Sequence, residues 1–199
     1  MIWKVSIVEY ITMGGWVMLP LILLAFLLAL LIAERFLFYG ELSRNDITPD
    51  KVIDMLETQH MPQHMKTGIY SQLLQQFLLA KERYGRLDRM IVEETSRGII
   101  PELTKNLRII GALTSAAPLL GLLGTVSGMI TTFNVMNIFG TGNAKAMSAG
   151  ISEALITTQF GLVVAIICLY ISMILTRRAR HYHIIVRELS IHIIRKFEL

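Results

Sequence analysis

Between Arg108 and Lys145 the chain reads IIGALTSAAPLLGLLGTVSGMITTFNVMNIFGTGNA (residues 109–144), 36 residues without Asp, Glu, Lys or Arg. A helix needs about 20 predominantly apolar residues to cross a hydrocarbon core about 30 Å thick, at about 1.5 Å per residue. This stretch therefore crosses a bilayer with residues to spare. Outward from it lie two more charge-free stretches, 24 residues between Glu9 and Glu34 and 23 between Glu153 and Arg177. The sequence predicts an all-α integral membrane protein with three transmembrane helices.

Composition agrees with that reading. Of 199 residues, 53% are hydrophobic and 17% charged, against about 45–50% and about 25% in a soluble globular domain. A soluble enzyme domain would scatter its charges along the chain, and a disulfide-built secreted domain is excluded because Cys168 is the only cysteine. The first apolar stretch is too long for the roughly 7–15-residue core of a secretory signal, and Glu34-Arg35 offers no small-residue cleavage site.

Lys and Arg close to span ends set orientation. Arg177, Arg178 and Arg180 follow the third span at once, whereas the connection before it carries only Lys145. The C-terminal end is thus expected inside and, with three spans, the N-terminus outside. The expected organisation is an amphipathic interfacial segment at 1–12, a first span at 13–34 and a cytoplasmic helical region at 35–106. A second span follows at 107–137, then an outer loop at 138–147, a third span at 148–176 and a cytoplasmic helical tail at 177–199. Within the cytoplasmic region Thr48-Pro49-Asp50 marks a helix start, with helices expected at about 49–59, 63–84 and 86–106. In the tail, Ile184, Ile185, Leu189, Ile193 and Phe197 recur near helical spacing. No internal repeat is visible, which counts against an inverted-repeat transporter.

The second span holds Thr114, Ser115, Gly121, Gly124, Thr125, Ser127, Gly128, Thr131 and Thr132, while the first is almost purely Leu, Ile, Ala, Phe and Val. Small and hydroxylated residues let helices approach closely within a bilayer. The first span is therefore expected to face lipid and the other two to face protein. Thr114, Gly121, Thr125, Gly128 and Thr132 fall on one helical face. Tight packing is the simpler reading of that stripe, and lining a narrow water-accessible path is the sharper one. Glu153 stands alone near the outer end of the third span. An acidic residue at membrane depth marks an ion pathway by default, whereas in the first turn of a helix at the interface it answers the positive helix end. Residue physics leaves both open.

The string Ala117-Pro118-Leu119-Leu120-Gly121-Leu122-Leu123-Gly124-Thr125-Val126, then Gly128-Met129 and Phe133, then Gly150-Ile151-Ser152-Glu153-Ala154-Leu155 and Gly161-Leu162-Val163-Val164-Ala165-Ile166, resembles the MotA/TolQ/ExbB proton-channel family. Gly14-Gly15 through Pro20 and Glu34-Arg35 resemble the start of its three-span, ExbB- and TolQ-like members. The resemblance implies a multi-pass protein of a bacterial inner membrane that forms a homo-oligomeric ring, typically a pentamer. Its second and third spans would line a lumen holding the single helices of an ExbD- or TolR-like partner with an essential Asp. Protons moving down the membrane potential would drive the motor, and a TonB- or TolA-like protein would receive the motion. Carried over by position, the lumen carboxylate is Glu153 and the pore threonines are Thr125 and Thr158, with Thr157 standing where relatives often have a small residue. Gly121, Gly124, Gly128 and Gly161 are the expected packing glycines. After Ala165-Ile166 the family usually has Pro, where this chain has Ile167 and Cys168, so the kink of the third span is in question.

Other residues carry plainer expectations. Cys168 is a mid-span packing residue, and His181, His183 and His192 lie along a basic tail without ligand spacing, so no metal or cofactor is expected. Arg177, Arg178 and Arg180 anchor the span and attract anionic lipid. No nucleophile–base pair or phosphate loop is present, so neither an enzyme nor a nucleic-acid partner is indicated. Two rivals remain, a passive oligomeric scaffold and a sodium-driven member of the same family.

Overall fold

A computed structural model describes residues 13–42, 76, 79, 89–140 and 143–196. Among them the regular structure is helical: α1 (Met18–Leu42), α2 (Arg89–Thr104), α3 (Leu107–Phe139) and α4 (Ala144–Lys196). The expected interfacial segment at 1–12, the helices at 49–59 and nearly all of 63–84, and Phe197 lie outside the described residues. Among the described residues three helices are long and apolar enough to cross a membrane. The longest, α4, has 53 residues, or about 80 Å at the standard rise. That far exceeds a hydrocarbon core of about 30 Å, so α4 carries both a span and a long extramembrane extension. It runs without a break through Ile167 and Cys168. With a backbone N–H at every one of these positions, no proline interrupts the ladder there.

The chain divides into two units, Met1–Ile32 with Ile109–Ser172, and Ala33–Arg108 with Met173–Leu199. In the first, α1 buries Met18, Leu21, Leu24 and Leu28 along one stripe while Leu19, Leu23, Phe26 and Leu30 stay exposed. The first span thus has a packed face in addition to the exposed one expected to face lipid. An almost uniformly apolar helix carries no periodic contrast from which to read that face.

In the second unit α4 presents Leu175, Ala179, Tyr182, Val186, Leu189 and Ile193 inward, at alternating steps of four and three. Ile184, expected on that face, is exposed. One hydroxyl pair, Ser96 and Ser190, meets in this interior at 2.6 Å. The end of α2 is closed by side chains from α1. The last four carbonyls of a helix lack partners of their own. Here Arg35 Nη1 donates to Glu102 O at 3.0 Å and the Tyr39 phenol donates to Leu103 O at 2.5 Å. Arg35, only 2% exposed, also pairs with Glu34 at 3.1 Å and lies 4.8 Å from the Phe38 ring centre. Asn106, at φ 62° between α2 and α3, donates from its amide to the other Glu34 oxygen at 2.7 Å. Asn is among the few side chains that visit the left-handed region readily, so one residue both turns the chain and fixes the turn.

Candidate functional site

Helices α3 and α4 meet along a seam of small residues. The buried side of α3 is Thr114, Ala117, Gly121, Gly124, Gly128 and Thr132, and Gly161, Thr158, Thr157, Ala154 and Gly150 face it in antiparallel order. The approach is close enough to exclude a side chain at several points. A Cβ at Gly121 would stand 3.2 Å from Thr157 O and from the Thr158 Cα, and one at Gly161 would stand 2.8 Å from Ala117 O. At Gly128 it would meet Gly150 O at 2.6 Å and the Ala154 methyl at 2.8 Å, and at Gly124 it would collide with the Thr157 side chain. Packing of this kind, with backbones nearly in contact, is what small residues provide where water offers no drive to associate.

The hydroxyls of the seam are engaged. Thr158 Oγ1 donates its proton either across the seam to Gly121 O at 3.1 Å or within α4 to Ala154 O at 3.0 Å. Thr157, fully buried, lies within donating distance of Glu153 O (3.1 Å) and Ala154 O (3.0 Å). Thr114 and Thr132 donate to the carbonyls one turn earlier, Ile110 O and Gly128 O. Thr125 lies on the flank of the seam, half-buried, and donates to Leu122 O at 2.6 Å.

Glu153 is half-buried one turn before Thr157 in α4. Its carboxyl rests against Gly15, in the turn preceding α1, in the space that a side chain at position 15 would fill. The next residue of that turn, Trp16, donates from its indole N–H to Ser127 Oγ on α3 at 3.0 Å. The structure thus joins Thr157 and Thr158 to Gly121 and Gly124, and sets Glu153 against the start of α1. Thr125 bonds within its own helix.

Sequence reasoning named the α3 half of the seam and missed part of the other half, Gly150 and Ala154. Their signal was present as small residues at 150, 154, 157 or 158, and 161, which is helical spacing. It also missed the Gly15 and Trp16 contacts, which join residues more than a hundred positions apart and leave no local pattern. Cys168 is buried and free. Among the described residues no three side chains that bind metals come together.

Comparison with known proteins agrees on what these helices belong to. Residues 61–188 match the MotA/TolQ/ExbB proton channel family. Over 171 residues the chain is 33% identical to the putative biopolymer transport protein ExbB-like 1 of Synechocystis sp., covering 81% of this chain and 67% of that protein. It is 43% identical over 101 residues to the biopolymer transport protein ExbB of Aquifex aeolicus, covering 50% of this chain and 68% of that one. The ExbB-like 3 protein of Synechocystis sp. is 28% identical over 168 residues, 77% of each chain. A match that takes in the glycine seam, in a chain with three helices able to cross a bilayer, makes this a multi-pass membrane protein that belongs to the MotA/TolQ/ExbB proton channel family.

Proposed function

We propose that this chain is the ring-forming channel subunit of an ion-driven motor in a bacterial inner membrane, its N-terminus outside and its C-terminus inside. In this reading five copies enclose a lumen lined by α3 and α4. The single helices of an ExbD- or TolR-like partner stand in that lumen, and protons crossing between the two drive one against the other. A TonB- or TolA-like protein would carry the motion to a periplasmic or outer-membrane process such as TonB-dependent transport. Each charge crossing 100 mV releases about 2.3 kcal/mol, so several protons must be coupled to each useful displacement.

The observation that carries the reading is Glu153, a half-buried carboxylate at the outer end of the small-residue seam in a member of a proton channel family. In the proposed mechanism Glu153 exchanges the proton or guides it electrostatically. Thr125 and Thr158 offer hydroxyls to water or to the partner's Asp, with Thr157 packed between.

One observation favours the passive scaffold instead. The hydroxyls of Thr114, Thr125 and Thr132 donate to carbonyls of their own helix, which is what packing alone requires. The complex with its co-purifying one-span partner, reconstituted in vesicles under an imposed potential, separates the two. Glu153→Gln and Thr158→Ala should each cut proton flux by about 100-fold or more, the range in which one positioned proton-transfer group acts. Full flux in both variants would remove these residues from the proton path, and a wild-type complex that passes no protons would leave the scaffold.

A further inference from the structure

Gly15 occupies the turn before α1 at φ +64°, a left-handed conformation that side-chain-bearing residues rarely adopt. Conformation is only part of the demand for glycine at this position. A Cβ built on Gly15 would fall on Glu153 Oε1, 2.5 Å from the carboxyl carbon and 3.2 Å from Cγ. The carboxyl therefore sits in the volume that any other residue at position 15 would occupy.

Both sides of this contact are held. On the turn side, the Trp16 indole is bonded to Ser127 on α3 at 3.0 Å, which fixes where Gly15 stands. On the α4 side, Ala154 presses on α3 so closely that a Cβ at Gly128 would lie 2.8 Å from its methyl, and the Thr157 hydroxyl bonds back toward Glu153 O. The neighbouring Gly14 differs. The nearest atoms to a Cβ there belong to Met18, its sulfur at 3.0 Å and its Cγ at 3.2 Å.

We propose that Gly15 is a positioning residue for Glu153, its missing side chain forming the seat in which the carboxyl rests at the outer mouth of the α3–α4 seam. The Trp16–Ser127 bond holds that seat against α3. This deepens, and rests on, the reading of Glu153 as the carboxyl of the ion pathway. A side chain at position 15 evicts the carboxyl without touching its chemistry, and a carboxyl one methylene shorter escapes the eviction.

The test follows residue 153 directly. Membranes containing the full-length chain are treated with dicyclohexylcarbodiimide, which adds to carboxyl groups, and modification at position 153 is followed by mass spectrometry. Glu153→Gln supplies the blank. Gly15→Ala should change the modification rate at Glu153 by about ten-fold and lower proton flux of the reconstituted complex to a similar degree, a change equivalent to about 1.4 kcal/mol. Gly14→Ala should change neither. Adding Glu153→Asp to Gly15→Ala should recover much of the lost flux.

An unchanged modification rate in Gly15→Ala, or a loss that Glu153→Asp does not relieve, overturns the proposal; the latter result would assign the loss to backbone strain alone. If Gly15→Ala does not accumulate, Gly15→Asn serves, because Asn tolerates the left-handed turn but still carries a Cβ. Its modification rate then decides in the same way. Wild-type flux in Glu153→Gln would sink the ion-pathway reading, and the modification rates would still decide whether Gly15 seats the carboxyl.

Discussion

Gly124 and Thr125 are neighbours in the chain with separable duties. A Cβ at Gly124 would overlap the Thr157 side chain, 2.5 Å from its Cβ, so Gly124→Val forces α3 and α4 apart. Overpacking of this kind costs about 1–3 kcal/mol. A lower midpoint in the detergent unfolding of the purified protein, with flux lost because assembly is lost, is the expected result. Thr125→Ala removes a hydroxyl that bonds only Leu122 O on the flank of the seam. Its unfolding midpoint should move by no more than the equivalent of about 0.5 kcal/mol, while flux falls if the hydroxyl serves the proton path. A Thr125→Ala chain with wild-type stability and wild-type flux would remove Thr125 from the mechanism. The stripe was legible as Thr114, Gly121, Thr125, Gly128 and Thr132, and the structure puts Gly124 at its centre. With 3.6 residues per turn, positions 124 and 125 both lie about one turn beyond Gly121. Spacing alone does not choose between them, and only the facing Thr157 does.

At the level of elements, the join between α2 and α3 depends on α1. Arg35 and Tyr39 supply the donors that the Glu102 and Leu103 carbonyls lack, and the Tyr39 ring stacks on Tyr182 of α4 at 5.9 Å. Tyr39→Phe keeps the ring and deletes only the hydroxyl, leaving Leu103 O buried without that donor. A loss of about 1–3 kcal/mol is expected, read as a lowered thermal midpoint in detergent. An unchanged midpoint would mean that water or a neighbouring group replaces the phenol. None of these contacts was legible in the sequence, because they join residues 64 to 143 positions apart. Existence and type of the long helices were legible, since a charge-free run of bilayer length has few other uses. Their faces were legible only where chemistry alternates. The glycines of α3 stand out among leucines, whereas nothing in the leucine-rich α1 marks Leu21, Leu24 and Leu28 as the buried ones. In the α4 extension, Tyr182 and Ser190 belong to the buried row, and a reading that followed aliphatic residues alone took exposed Ile184 in place of Tyr182.

For the whole molecule, the consequential property is which way it faces. Three arginines at 177, 178 and 180 close the third span, against a single Lys145 before it. Near an anionic cytoplasmic leaflet each basic residue contributes about 1 kcal/mol, so the asymmetry favours the arginine end inside by about two such increments. Glu153 and Arg177 lie 24 residues apart on the unbroken α4, about 36 Å of helix. That length exceeds a hydrocarbon core of about 30 Å, so with the arginines inside, Glu153 sits at the outer boundary. There, in the proposed mechanism, it would take protons from the side to which respiration exports them. The opposite orientation would place the same carboxyl on the proton-poor side, where the potential would empty it rather than load it. Orientation and the role of Glu153 therefore stand or fall together. A membrane-impermeant maleimide tests them in a Cys168→Ser background, which removes the one native thiol. Lys145→Cys should react in intact spheroplasts and Arg187→Cys only after the membrane is opened. The reverse pattern would put the N-terminus inside and require a different loading site for the proton.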